Sequence, residues 1–148
     1  MGTTLVCAVA RSDMAIIGNI GDSRAYHITP EGIFQISRDH SVVENMVAKG
    51  DLTPLEARTH PNRNLITRAL GPDIHAKADT FELPWHKDEF LLLCSDGLVN
   101  TVSDQEMLFE VLHDGDVNEC LDHLLQISLQ RGAPDNITAV LLLNEEGR

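Results

Sequence analysis

The chain has 148 residues, 43% hydrophobic and 23% charged, with a formal net charge of −12. That length fits one domain with a modest core, and this composition excludes wholesale disorder. The acidic excess argues against nucleic acid or an anionic membrane as partner, and no apolar run approaches the roughly 20 residues that span a bilayer.

Cys7, Cys94 and Cys120 are an odd, widely spaced set, which argues against a disulfide framework or a zinc knuckle. No charged segment followed by an apolar one opens the sequence, so a reduced, cytoplasmic protein is expected.

The first forty residues read as a strand meander: Leu5 to Val9, Ala15 to Ile20, Ala25 to Ile28 and Ile33 to Ile36. Turn signals separate them at Arg11-Ser12-Asp13, Gly21-Asp22-Ser23 and Thr29-Pro30-Glu31-Gly32. Ser41-Val42-Val43-Glu44 has capping-box spacing ahead of a short helix that Gly50 stops. Thr53-Pro54-Leu55-Glu56 repeats the device, with proline at the first helical position. From Arg58 to Asp73 the chain turns polar and irregular, as a surface excursion would.

Strands are expected again at Ala76 to Leu83 and Glu89 to Cys94, the second apolar enough to be buried on both faces. A capping box at Ser103-Asp104-Gln105-Glu106 opens a helix to about His113. A longer helix follows from about Val117 to Gln130, with Leu121, Leu124, Leu125 and Leu129 on one face. Gly132-Ala133-Pro134 ends it, and Ile137 to Leu143 is the closing strand. The order predicts an α+β sandwich of mostly antiparallel sheet with helices packed outside.

Three aspartates stand at the ends of strand-like runs: Asp22 after Met14 to Ile20, Asp96 after Phe90 to Cys94, and Asp135 before Ile137 to Leu143. Each alone is an ordinary turn residue that closes local hydrogen bonds, and Arg24 offers Asp22 a local ion pair. Brought together by adjacent strands, they would form an oxygen-rich site for a divalent cation. Gly97 is read as the residue that permits the sharp turn after Asp96.

Other chemistries fare worse. A cysteine phosphatase needs an arginine six residues after its thiolate, and Cys94 has Asn100 there. A serine nucleophile at Ser23 has no marked histidine partner. A His-Glu-x-x-His helix is absent, and the seven histidines show no ligand spacing.

Several segments, read in order, resemble one family. They are Met1-Gly2-Thr3-Thr4-Leu5, Gly18-Asn19-Ile20-Gly21-Asp22-Ser23-Arg24-Ala25-Tyr26, Asp39-His40-Ser41, Asn64-Leu65-Ile66-Thr67-Arg68-Ala69-Leu70-Gly71, Leu92-Leu93-Cys94-Ser95-Asp96-Gly97-Leu98 and Asp135-Asn136-Ile137-Thr138. The family is the metal-dependent protein serine/threonine phosphatases of type 2C, in its bacterial branch.

The resemblance implies a four-layer α-β-β-α sandwich, here partial, with a binuclear Mn2+ or Mg2+ centre in a cleft at one end. It implies Asp96 and Asp135 as catalytic metal ligands and Asp22 at an additional, third metal site. It makes residues 42–73 a flap, Arg24 and Arg68 framework residues, and phosphoprotein targets of a serine/threonine kinase the substrates.

The family's remaining ligands and a phosphate-binding arginine come from motifs upstream of Gly-Thr-Thr, and the sequence has none of these. The expectation is therefore residues 1–148 as the C-terminal portion of one phosphatase domain, prone to self-association. The alternative is an inactive remnant that serves as a binding module.

Overall fold

The computed structural model describes residues 1–133 and 135–146. In chain order its elements are β1 (Leu5–Ala10), β2 (Met14–Ile20), β3 (Arg24–Thr29), β4 (Gly32–Gln35), α1 (Val42–Ala48), α2 (Pro54–Thr59), β5 (Asp79–Pro84), β6 (Phe90–Cys94), α3 (Asp96–Val99), α4 (Asp104–His113), α5 (Val117–Gln130) and β7 (Ala139–Leu143). Strands β1-β2-β5 form one antiparallel sheet, and β4-β3-β6-β7 form a second.

Side-chain alternation explains how the layers stack. Ala15, Ile17 and Leu83 of the first sheet meet Ala25, Leu91 and Leu93 of the second. The opposite face of the second sheet presents Tyr26, Ile28, Leu92 and Cys94 to Leu98, Val99, Met107, Val111, Cys120 and Leu124 of the helical layer. Strand β6 lies between two apolar layers, and its sequence is accordingly an unbroken apolar run.

The α+β class expected from sequence is the fold observed, with two sheets and a helical layer over the second. Over the first sheet no further layer stands among the described residues. There Val9 pairs with Ile16, and Leu5, Val9, Ile16 and Met14 keep 47%, 65%, 40% and 43% of their surface exposed.

The capping signals act as their spacing predicts. Thr53 and Glu56, and Ser103 and Glu106, form reciprocal boxes that satisfy free amides at the starts of α2 and α4. At α1 only half of the box forms: Ser41 Oγ accepts from the Glu44 amide, and Glu44 turns to Arg38 at 3.2 Å.

Three boundaries differ from the sequence reading. β5 starts at Asp79, where pairing with Asn19 of β2 begins. β7 starts at Ala139, opposite Cys94. Residues 96–99 form the short helix α3 where a turn was expected. The predicted stop after α5 includes Pro134, which lies outside the described residues.

Candidate metal centre

Both β3 and β7 run antiparallel to β6, and Arg24 pairs with Cys94, which in turn pairs with Ala139. The start of β3, the end of β6 and the start of β7 therefore meet at one end of the sheet. The connections at that end carry Asp22, Asp96 and Asp135, and all three line one cleft of about 1040 Å³. A separate cavity of about 750 Å³, beside Gly2, Arg68, His75 and Lys77, contains none of them.

Local contacts fix each aspartate. Gly21 sits at φ +107, a left-handed conformation that favours glycine, and turns the chain into Asp22. Its amide donates to His40 Nδ1 at 3.0 Å, while the other ring nitrogen of His40 meets Asp79 Oδ2 at 2.7 Å.

On the far side, Ser95 clasps β7: its amide donates to the Thr138 carbonyl at 2.9 Å, and its Oγ accepts from the Thr138 amide at 3.0 Å. Gly97 is not left-handed, contrary to the role read from sequence. It is needed because a side-chain carbon there would collide with the Asn136 carbonyl oxygen, so glycine lets the Asp135-Asn136 turn close on α3.

The cleft also holds three acids that sequence reasoning did not single out as site residues, Asp39, Glu44 and Asp104. Arg24 grips Asp39 with Nε and Nη2, the shorter contact 2.7 Å, and donates to the Tyr26 hydroxyl at 3.0 Å. That hydroxyl donates to Asp104 Oδ1 at 3.2 Å. The ion pair offered to Asp22 by Arg24 in sequence is thus made with Asp39. Asp39 stands within a segment quoted for the family resemblance, and Asp104 lay hidden in a capping box.

The electrostatics suit a cation. Burial, then the charges of Asp96 and Asp39, push Asp22 up to about 6. Burial, then Asp135, raises Asp96, while a hydrogen bond with Asp22 and nearby backbone amides oppose that rise. Asp135 is the most exposed of the three and takes the Asn136 amide at 2.7 Å.

Carboxylates gathered in one cleft, two of them with their charged form disfavoured by burial and by one another, are a donor set for a hard divalent ion. Among the described residues, one group of three has ligand atoms all within 4.8 Å of one another: Glu110, Asp114 and His123, outside this cleft. There His123 Nδ1 is already paired with Asp114 at 3.0 Å.

Two rival chemistries lose ground on these contacts. Cys94 is buried and its thiol is pushed up to about 12, which removes a thiolate nucleophile. Ser23 Oγ is hydrogen-bonded to Thr4 Oγ1 at 2.8 Å and has no histidine partner among the described residues. The described residues include no helix long and apolar enough to cross a membrane.

The family profile of Protein phosphatase 2C matches residues 1–141. Serine/threonine phosphatase stp of Listeria monocytogenes is 36% identical over 151 residues, covering 100% of this chain and 60% of that protein. The crystal structure of serine/threonine phosphatase Stp1 from Staphylococcus aureus superposes with a TM-score of 0.93 at 42% identity, covering 97% of this chain and 56% of that one. The catalytic domain of the phosphatase PstP in complex with two manganese ions gives 0.83 at 34% identity, covering 95% and 58%. The chain thus spans about 60% of the length of the Listeria and Streptococcus relatives it matches, and 27% of PstP of Mycobacterium tuberculosis. With the profile, the relatives and the sandwich all agreeing, the chain belongs to the protein phosphatase 2C family.

Proposed function

We propose that this chain serves metal-dependent hydrolysis of phosphoserine and phosphothreonine in proteins, in the cytoplasm. The observation that carries the reading is the meeting of Asp22, Asp96 and Asp135 in one cleft at the end of the second sheet. Asp96 and Asp135 would hold Mn2+ or Mg2+, with Asp22 at a further cation beside them. Two such cations, when bound, acidify a water, orient it toward phosphorus and neutralise charge on the phosphoryl oxygens, lowering a barrier that is very high in water.

The chain's own contributions follow from its contacts. Asp22 offers a carboxylate whose charge burial and its acidic neighbours disfavour, so a cation there would relieve that repulsion. Asp39 fixes Arg24, and Arg24 fixes the Tyr26 hydroxyl, so the cleft floor is held rigid. Gly97 lets Asp135 approach α3. No protein nucleophile is invoked, in keeping with the buried Cys94 thiol. That a relative was crystallised with manganese supports the choice of metal.

Isothermal calorimetry with Mn2+ tests this. Asp96→Asn and Asp135→Asn should each weaken binding by about tenfold or more with the fold intact by circular dichroism, since each removes a charged ligand. Manganese-dependent hydrolysis of p-nitrophenyl phosphate should fall with them. Unchanged Mn2+ affinity in both variants removes these residues from the site. A wild-type chain that binds no Mn2+ points instead to a binding module on the same fold.

A further inference from the structure

Helices α4 and α5 are joined through Asp114-Gly115-Asp116, and from Asp104 to Gln130 the sequence has no lysine or arginine. Glu110 lies in the last turn of α4, and Asp114 caps that helix with its amide on the Glu110 carbonyl at 3.0 Å. Like charges four residues apart repel, and the carbonyl end of a helix disfavours both acids. A cation belongs at such an end. The group that α5 sends there is an imidazole, His123.

The spacing around that imidazole is close to a coordination shell. His123 Nδ1 lies 3.0 Å and 3.1 Å from the two Asp114 carboxylate oxygens and 3.6 Å from Glu110 Oε2. Ligand atoms of the three residues all fall within 4.8 Å of one another. Donors bound at about 2.1 Å to one zinc ion stand about 3.0 Å apart in octahedral geometry and about 3.4 Å in tetrahedral geometry. The distances from His123 to the two acids bracket those values. A single Nδ1–H···Asp114 hydrogen bond explains the shortest contact, but it gives Glu110 no reason to approach the same nitrogen.

The three residues ride on packed elements. Met107 and Val111 bury one side of α4, and Cys120 and Leu124 bury α5 on either side of His123 in sequence. His123 itself is half exposed, so water can reach the site and complete a metal's shell.

The donor set also differs in kind from that of the cleft. Asp22, Asp96 and Asp135 offer oxygen alone, which suits Mg2+ and Mn2+, whereas a histidine with two carboxylates suits an ion of the zinc class.

We infer that Glu110, Asp114 and His123 form a separate metal site for a transition ion of the Zn2+ class, tying α4 to α5 beside their connection. The site stands outside the cleft, so it holds or fails independently of the phosphatase reading.

The test is Zn2+ titration of the metal-stripped chain carrying Asp96→Asn and Asp135→Asn, which takes away ligands of the competing cleft. Calorimetry reads the affinity, and imidazole nitrogen NMR reads the ligand. One equivalent of Zn2+ should shift the His123 ring nitrogens, and the same amount of Mg2+ should not. Adding His123→Gln or Asp114→Asn should weaken Zn2+ binding by about tenfold or more, since even residues that merely brace a metal ligand are worth about that much. His113→Gln removes another exposed imidazole from the end of α4 and should leave the affinity within about twofold. Should the cleft substitutions unfold the chain by circular dichroism, the wild type gives the NMR reading, because that signal belongs to His123 wherever else the ion binds. A His123 ring that Zn2+ leaves unmoved overturns the site. So does full affinity in His123→Gln, or an equal loss in His113→Gln, which would mark adventitious capture by surface histidines.

Discussion

Burial and the charges of Asp96 and Asp39 hold Asp22 up at about 6, so near neutral pH the metal-free protein keeps a carboxylate there against repulsion. Replacing it with asparagine removes the repulsion and keeps the shape. In EDTA at pH 7.5, Asp22→Asn should melt about 2–4 °C above wild type, the shift that roughly 1 kcal/mol of solvent-screened repulsion produces in a domain of this size. Excess Mn2+ should then narrow or reverse the gap, because the wild type gains more from the cation. A metal-free Asp22→Asn that melts below wild type would mean that Asp22 stabilises the turn more than it strains the cleft. The three aspartates were legible in sequence because each sits where an apolar run breaks. Their neighbours Asp39 and Asp104 were not, since what recruits them is an arginine and a tyrosine from β3, and no local pattern encodes that contact.

Between elements, α4 and α5 are clasped at the end nearest the cleft. Arg131 caps α5, donates to the Thr101 carbonyl at 2.7 Å and pairs with Glu106, which also accepts the Ser103 amide in the capping box. Thr101 and Ser128 hydroxyls are hydrogen-bonded beside them. The Arg131 and Ser103 bonds hold the Glu106 carboxyl down at about 2, from 4.5. A carboxylate with a depressed pKa stabilises the fold fully above its unfolded value, and that contribution is lost as pH falls toward the folded one. Glu106→Gln should therefore melt below wild type at pH 6, with the difference shrinking from about pH 4.5 down toward pH 2. A pH-independent difference would assign the effect to packing. The clasp's sequence half, the capping box, was readable in advance; its partner 25 residues on was not. Helix α3 was missed for a related reason: four residues after a strand carry too little periodicity to separate a helical turn from a β-turn, and tertiary packing of Leu98 and Val99 decides.

At the scale of the molecule, β1 is an edge strand, and its six residues, Leu-Val-Cys-Ala-Val-Ala, carry no charge. Beside it stand exposed Met14 and Ile16, an apolar sheet face of the kind that pairs with another chain. The net charge of −12 opposes such pairing at low salt, and screening relieves it. Sedimentation velocity in about 0.5 M salt should show concentration-dependent association that Ile16→Lys abolishes; a monomer across the range would show that this face tolerates water alone. The strand order β4-β3-β6-β7 was beyond sequence reading, because period-2 alternation shows that a run is a strand but not which strand lies beside it. That order has one more outcome. The acids that meet in the cleft are 74 and 39 residues apart along the chain, at positions 22, 96 and 135. A polypeptide still emerging from synthesis has only two of them in place until β7 is made and docked beside β6, so full ion uptake would report that β7 has joined the sheet.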